Sequence, residues 1–174
     1  MTQSARPFDE IDTDLLITLL PIRPYEKVAI AGCSNTPLCT ALAKYLSQGR
    51  LYALDSNNKT LDICREKLSN VPLTNFTDSN YEQASDYVEN QAIDGILIDH
   101  SHVSQGDISQ ILAFIKTFLS SVGWISLIEQ LPSDSATSST NQMTEPLNNQ
   151  LAGIFRLTSS RSLNKDTVLH HFRK

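Results

Sequence analysis

The chain has 174 residues, of which 40% are hydrophobic and 7% aromatic, and its formal net charge at pH 7 is -5. This length allows one sizeable core but is short for two domains, so we expect a single domain over residues 1–174. The acidic balance lacks the basic footprint of a nucleic-acid-binding protein. No apolar run approaches the about 18 residues that a membrane span needs, and the N-terminus has no signal-peptide pattern. A cytoplasmic protein that contacts neither nucleic acid nor membrane is therefore expected.

The three cysteines, Cys33, Cys39 and Cys64, form neither a CxxC pair nor the spacing of a metal site. An odd count of cysteines fits reduced thiols in a reducing compartment. We interpret them as small apolar residues and expect no metal ion.

The N-terminal region is expected to contribute one short helix. Residues 1–10 carry no periodic pattern and are interpreted as a loose arm. Asp12 is a suitable N-cap for the leucines that follow at helical spacing, and Pro21 ends the pattern.

The stretch 28–55 organises the rest of the chain. It reads as an apolar run, a polar turn that begins at Gly32, a helical segment (40–46) and a second apolar run (51–54) that ends at Asp55. This has the length of a right-handed parallel crossover between two strands. An acidic residue about 20 positions after a glycine turn is where doubly wound folds hold a ribose.

Beyond Asp55, apolar runs of strand length alternate with amphipathic helical segments. This strict alternation predicts an α/β fold of the doubly wound, Rossmann-like type, with helices on both faces of a mostly parallel sheet. In chain order the predicted elements are a helix (61–68), a weak strand (73–76), a helical stretch (81–89), a strand (93–99), a helix (108–119) and a strand (124–128).

The C-terminal region begins with a segment rich in Ser and Thr, residues 133–144, which we interpret as a flexible loop. A loop of this length is either a lid over a site or a segment without fixed structure. A short helix (147–152) follows, and two runs (154–157 and 167–172) joined by the polar residues 159–166 predict an antiparallel pair of strands at the end of the sheet.

Polar residues at the ends of the predicted strands are the candidate site, because open parallel sheets bind ligands at the carboxyl ends of their strands. Gly32 permits a close backbone approach to a ligand. Asp55 could accept hydrogen bonds from a ribose diol, and Asp78 or Ser79 could accept from an adenine amino group. The alternative interpretation of each Asp and Ser is that it stabilises a turn or caps a helix, as these residue types do at strand ends.

Histidines follow the fourth predicted strand in the sequence IDHSH. Imidazole carries protons near neutral pH, so His100 or His102 could act as a general base, and the alternative is a polar loop without a catalytic role. Their spacing, with no further ligand nearby, is a weak metal signal. His170 and His171 fall in a late strand and are interpreted as structural.

Several enzyme classes lack their signatures in this chain. It contains no GxSxG, GxxxxGKS/T or HExxH motif, which argues against serine hydrolases, P-loop nucleotide triphosphatases and zinc proteases. A nicotinamide-binding Rossmann protein is a further alternative, although the chain has neither GxGxxG nor an evident catalytic Tyr/Lys pair.

Two stretches carry a resemblance to a known family: VAIAGCSNTPLCTALAKYL and LYALDSNNKTLDICREKL. They are similar to the first and second motifs of the class I S-adenosylmethionine-dependent methyltransferases, which usually read like VLDIGCGTGxxTxxLA and VYALDxSxxMLxxAREKL. The resemblance extends over DGILIDHSHVSQGDISQILAFIKTFLSSVGWISLIEQ and LAGIFRLTSSRSLNKDTVLHHFRK, and hence over nearly the whole chain. It points to the small UbiE/SmtA-like domains of this family. It implies the strand order 3-2-1-4-5-7-6, with the seventh strand antiparallel.

The resemblance also implies roles for individual residues. Gly32 matches the glycine that approaches the amino-acid portion of the cofactor, and Asp55 matches the ribose-binding acid. Asp78 falls near the adenine-contacting position, and Asp99 with His100 falls at the strand end beside the methyl donor. With their neighbours, the implied cofactor-binding residues are Gly32, Ser34, Asp55, Ser56, Asp78, Ser79 and Asp99.

The implied function is an S-adenosylmethionine-dependent methyltransferase with His100 or His102 as general base. The chain shows no added substrate domain, so a small-molecule acceptor is favoured. Three positions depart from the family pattern: Ile30 stands where an acid usually organises the cofactor's ammonium group, and Ser34 and Thr36 replace two further glycines. These departures support the alternative hypothesis of a catalytically degenerate protein that acts as a binding or scaffolding partner.

Overall fold

Seven strands and five α-helices are present in residues 12–69, 76–130 and 147–174, which are the residues that the computed structural model describes. The predicted N-terminal arm and the predicted loop 133–144 lie outside these residues. The strands are β1 (Lys27–Ala31), β2 (Arg50–Leu54), β3 (Phe76–Ser79), β4 (Ile93–Asp99), β5 (Leu119–Gln130), β6 (Arg156–Asn164) and β7 (Thr167–Arg173). The helices are α1 (Thr13–Leu19), α2 (Thr36–Tyr45), α3 (Asn58–Ser69), α4 (Ile108–Phe118) and α5 (Leu147–Ala152).

All seven strands belong to one sheet in the order β3-β2-β1-β4-β5-β7-β6. Strands β1 to β5 pair in parallel, and β7 is antiparallel to both of its neighbours, β5 and β6. The predicted doubly wound fold and the strand order implied by the resemblance are confirmed.

The central strand β1 is buried on both faces, which explains its unbroken apolar sequence. Val28 and Ile30 belong to the core beneath α1, α2 and α3, whereas Ala29 and Ala31 belong to the core beneath α4 and α5. This division follows the two-residue period of a strand. All four side chains are at most 1% exposed.

The first helix begins and ends where the sequence predicts. One carboxylate oxygen of Asp12 accepts a hydrogen bond from the backbone N–H of Asp14 at 2.9 Å. Leu20 is already extended (φ -76°, ψ 144°) because Pro21 follows it and disfavours the helical conformation at the preceding residue.

Helix α2 begins at Thr36, four residues before the predicted start at position 40. The side chain of Asn35 accepts from the backbone N–H of Leu38 at 3.3 Å, and Pro37 lies in the first turn. An N-cap residue followed by a proline is a helix-start pattern. The polar turn after Gly32 is therefore shorter than predicted.

The third strand lies three residues later than predicted, at 76–79 rather than 73–76, of which 73–75 are outside the described residues. Asp78 and Ser79 are consequently part of the strand itself, where they pair with Ala53 and Leu54. The helical stretch predicted over 81–89 is a 3₁₀ helix over Tyr81–Asp86.

The last strands are longer than predicted. Strand β6 includes most of the polar stretch that was interpreted as a connection, and only Lys165 and Asp166 form the turn to β7. Strand β5 begins at Leu119, which was predicted to end the preceding helix. Backbone pairing at a sheet edge does not require apolar side chains, so periodicity did not reveal the full length of β6.

Candidate functional site

The ends of three neighbouring strands bring Gly32, Asp55 and Asp99 to one edge of the sheet. Strand β1 lies between β2 and β4, and Ala31 pairs with Leu54 on one side and Ile98 on the other. Gly32 follows Ala31 directly, so it lies between the two aspartates. We call this region the carboxyl edge.

Gly32 is in the left-handed region (φ +88°), which favours glycine. Its backbone N–H donates to the carbonyl oxygen of Leu54 at 3.3 Å. A Cβ atom added at Gly32 would lie 2.8 Å from the carbonyl oxygen of Asp99 and 3.1 Å from the Cβ of His102. The turn after β1 is thus closely packed against the end of β4.

Asp99 is completely buried, and its carboxylate is bound by three side chains. Ser101 Oγ donates to Oδ1 at 2.7 Å, and Asn35 Nδ2 donates to Oδ2 at 3.2 Å. His102 Nδ1 lies 2.8 Å from the same Oδ2, and because an ionised carboxylate only accepts, the imidazole is the donor. A carboxylate has about four acceptor positions, so protein donors fill most of them.

Asn35 connects this carboxylate to helix α2. Its side-chain oxygen caps the helix through Leu38, and its side-chain nitrogen donates to Asp99. The sequence analysis did not identify Asn35 as a site residue. Its position just before Thr36-Pro37 indicates the cap, but the contact with Asp99 spans 64 residues and depends on the fold.

Asp55 is also buried, with 8% of its surface exposed, but it has fewer donors. The backbone N–H of Asn57 donates to Oδ1 at 2.8 Å. Within the described residues, the donor at Oδ2 is the Cys33 thiol, a weak donor, at 4.0 Å. Burial raises the pKa of Asp55, and the Asn57 hydrogen bond opposes that rise. Asp55 thus presents an acceptor oxygen that the protein leaves largely unsatisfied.

A second buried carboxylate, Asp107, lies near Asp55. Ser56 Oγ donates to Asp107 Oδ2 at 2.9 Å, and Asn80 Nδ2 donates to the carbonyl oxygen of Ser56 at 3.2 Å. Burial, followed by the negative charges of Asp55 and Asp107, raises the pKa of Tyr81. Asp107 directly precedes the predicted helix 108–119, and its approach to Ser56 is a tertiary contact that no local pattern indicates.

The remaining predicted cofactor-binding residues have separate surroundings. Asp78 accepts two hydrogen bonds from the Arg65 guanidinium, one of them from Nε at 3.1 Å. Ser79 Oγ donates to the backbone carbonyl of Asn80 at 2.9 Å, and Ser34 is exposed. The fold therefore brings Gly32, Asp55 and Ser56 together with Asp99, whereas Asp78 is bound to α3.

The residues that depart from the family pattern do not cover Gly32. Ile30 is fully buried in the core beneath α1, α2 and α3. Thr36 Oγ1 accepts from Lys67 Nζ at 3.3 Å at the start of α2. A Cβ atom at Gly32 would instead meet atoms of Asp99 and His102.

The four histidines divide into two groups. His100 and His102 lie in a 3₁₀ turn, His100–His102, directly after β4. His171 Nδ1 lies 2.8 Å from Ser126 Oγ in the core between β5 and β7. His170 Nε2 lies 3.3 Å from Glu129 Oε2, a pair that the sequence analysis did not identify. Glu129 is one residue beyond Ile128, the pairing partner of Asp99, so this pair is near the carboxyl edge.

Neither a metal centre nor a membrane span is found in the described part of the chain. No group of three or more His, Cys, Asp or Glu side chains there could hold a metal ion. No helix in those ranges is both long and apolar enough to cross a bilayer. The three cysteines are buried and form no disulfide.

No protein-family model and no curated protein sequence matches the chain. Its fold is shared with solved structures. A SAM-dependent methyltransferase from Aquifex aeolicus has a TM-score of 0.77 at 13% identity, with 97% of this chain and 93% of that chain covered. Fibrillarin from Aeropyrum pernix, solved with natively bound S-adenosyl-L-methionine, has a TM-score of 0.65 at 14% identity, with 92% and 72% covered. The fibrillarin pre-rRNA processing protein of Methanococcus jannaschii has a TM-score of 0.66 at 18% identity, with 89% and 69% covered. This chain therefore has the Rossmann-like fold of the SAM-dependent methyltransferases.

Proposed function

We propose that this protein is an S-adenosylmethionine-dependent methyltransferase that acts on a small-molecule acceptor. The observation that carries the proposal is Asp55, a nearly buried carboxylate at the end of β2 with one oxygen that lacks a strong donor among the described residues. Burial disfavours its charged form, and two ribose hydroxyls would supply the missing hydrogen bonds. The fold shared with SAM-dependent methyltransferases supports the same ligand.

The nucleoside portion of the cofactor fits the residues around Asp55. Asp55 would hold the ribose, and Tyr81, which is 7% exposed and near both Asp55 and Asp107, lies beside it. The Gly32 turn lies between β2 and β4 and would contact the opposite side of the ligand. When bound, the cofactor supplies an electrophilic methyl group, and the protein's contribution is to align that methyl with the acceptor.

The acceptor side is assigned to the turn after β4. His102 is held by Asp99 at 2.8 Å, so we assign the general-base role to His100 in the same turn. His100 follows the last residue of β4, at the strand end beside which the methyl group is expected. Alignment supplies most of the rate in such a displacement, so His100→Ala should lower turnover without abolishing it.

Calorimetric titration with S-adenosylmethionine tests the proposal. The wild-type protein should give measurable heat below about 1 mM ligand. Asp55→Ala should weaken binding about tenfold or more, because it removes a charged acceptor. Asp78→Ala is the matched control, since Arg65 already binds that carboxylate, and it should change affinity less than threefold or so. Absence of heat at millimolar ligand, or equal effects of both variants, would overturn the proposal.

A second candidate function is favoured by the network around Asp99. The Gly32 turn packs closely against the Asp99 carbonyl and His102, and donors from the protein fill most acceptor positions of the Asp99 carboxylate. Such a closed turn suits a protein that has kept the fold as a binding or scaffolding partner and does not transfer methyl groups. Absence of S-adenosylmethionine binding together with a cooperatively folded chain would favour this second function.

A further inference from the structure

The two halves of the carboxyl edge differ in what they can offer a ligand. Asp55 has an oxygen whose donor in the described residues is a thiol 4.0 Å away. Asp99 has three side-chain donors within 3.2 Å and no exposed surface. A new ligand can satisfy Asp55 without displacing a strong hydrogen bond, but it can reach Asp99 only by displacing a protein donor.

His102 also packs beside Gly32, through its Cβ and carbonyl carbon and not through its imidazole ring. The site of a Cβ on Gly32 lies 3.1 Å from His102 Cβ and 3.3 Å from its carbonyl carbon. The His102 ring is at the same time hydrogen-bonded to Asp99. The His102 ring therefore fills an acceptor position of Asp99, while the Cβ and backbone of the same residue pack against the glycine turn.

The amino-acid portion of S-adenosylmethionine or S-adenosylhomocysteine carries an ammonium group that needs an acceptor and a chain that needs space. Of the two buried aspartates that flank Gly32, Asp55 is assigned to the ribose, and Asp99 is already bound by His102, Asn35 and Ser101. The residue two positions before Gly32 is Ile30, which offers no acceptor. The nucleoside portion needs only the under-satisfied oxygen of Asp55.

We propose that the His102 imidazole occupies the position on Asp99 that a ligand's cationic amino group would otherwise take, so that the folded site selects adenine nucleosides without an amino-acid tail. This inference rests on the proposed placement of the ribose at Asp55. His102 is a specificity-determining residue in this proposal. Binding of a ligand with the tail, S-adenosylmethionine included, requires the His102 ring to leave Asp99.

Calorimetry with a matched pair of thioethers, neither of which carries a positive charge on sulfur, tests the proposal. S-adenosylhomocysteine carries the amino-acid tail, and 5′-methylthioadenosine has a methyl group in its place. The wild-type protein should bind 5′-methylthioadenosine at least tenfold more tightly. His102→Ala removes the imidazole donor from Asp99 and keeps the Cβ and backbone atoms beside Gly32. It should therefore remove most of this difference by improving the affinity for S-adenosylhomocysteine about tenfold, with the affinity for 5′-methylthioadenosine unchanged.

His102→Asn is the control variant, because its amide nitrogen stands at the position of Nδ1 and can still donate to Asp99. It should keep the wild-type preference. Equal affinities of the wild-type protein for the two thioethers would overturn the inference even if His102→Ala failed to fold, and would leave the proposed function standing. A preference unaltered in a folded His102→Ala protein would also overturn it. Absence of binding of either thioether to any variant would overturn both the inference and the proposed function.

Discussion

Asp55 and Asp99 are the same residue type at equivalent places, each at the end of a strand that flanks β1, yet their surroundings are opposite. Asp99 has no exposed surface and accepts from Asn35, Ser101 and His102. Asp55 is 8% exposed and accepts from one backbone N–H at 2.8 Å and a distant thiol. The first carboxylate joins the turn after β4 to the start of α2, and the second has fewer donors.

This difference shows that a strand-end carboxylate is not by itself a ligand-binding group. A buried carboxylate with several protein donors stabilises the fold, because removing it leaves those donors unsatisfied. A buried carboxylate with few donors raises the free energy of the folded state and is the better candidate for binding. The following substitutions test whether the two aspartates divide the roles in this way.

The largest effect is expected for Asp99→Asn. The amide would face three donors with a single acceptor oxygen and two N–H groups of its own. The free energy of unfolding should fall by about 3 kcal/mol, whereas Asp55→Asn should change it by less than about 1 kcal/mol. Urea denaturation of both variants at pH 7 measures the two free energies of unfolding. The slopes of free energy against urea concentration are compared as well. Similar losses for the two variants would contradict the division of roles.

An intermediate effect is expected for Gly32→Ala, which tests whether the turn is closed against the end of β4. The left-handed backbone (φ +88°) and a contact of 2.8 Å with the Asp99 carbonyl both oppose a Cβ atom. A loss of about 2 kcal/mol in the free energy of unfolding is expected. Gly106→Ala is the control: its nearest neighbour would be 3.9 Å away, and the change should stay within about 0.5 kcal/mol. A fully stable Gly32→Ala protein would show that the turn is open.

The smallest effect is the pH dependence that Asp55 contributes. Burial raises its folded pKa above the unfolded value of about 3.9, so the folded state binds more protons between the two values. The free energy of unfolding due to this group therefore falls as the pH rises through that window. The Asp55→Asn protein has no carboxyl group that titrates at this position. Its free energy of unfolding, compared with that of the wild type, should therefore increase between about pH 4 and the folded pKa of Asp55 and stay constant above it.

Thermal or urea unfolding of both proteins at several pH values measures this difference. The comparison cancels the contribution of His171, whose pKa is lowered by burial and by the charges of Arg161 and Arg173. A pH-independent difference between wild type and Asp55→Asn would show that Asp55 is adequately solvated in the folded protein.

The fold could be predicted because its signals are local. Apolar runs at 28–31, 51–54 and 93–99 are strands in the structure, and their alternation with helical segments predicts a parallel sheet. The full length of the polar strand β6 and the position of β3 could not be predicted in this way. Their residues lack a clear two-residue period, and their pairing is determined by the adjacent strands β7 and β2.

The sequence could locate the candidate site but could not show which hydrogen bonds its residues make. Strand ends select Gly32, Asp55 and Asp99 by position, and topology brings them to one edge. Asn35 and Asp107 were not selected, because their partners Asp99 and Ser56 are 64 and 51 residues away along the chain. A hydrogen bond over such a distance has no periodic signal.

By itself, the sequence of this protein determined a doubly wound sheet and the edge at which a ligand would bind, since strand periodicity and strand order depend on short-range patterns. Only the tertiary structure decided which carboxylate at that edge is available. Asp99 accepts from Asn35, which the fold brings to it, and from two side chains of the turn that follows it, whereas Asp55 is buried with fewer donors. Availability depends on the donors that surround a group in space, and the fold decides both that a distant residue such as Asn35 reaches Asp99 and that the adjacent turn directs Ser101 and His102 back onto it.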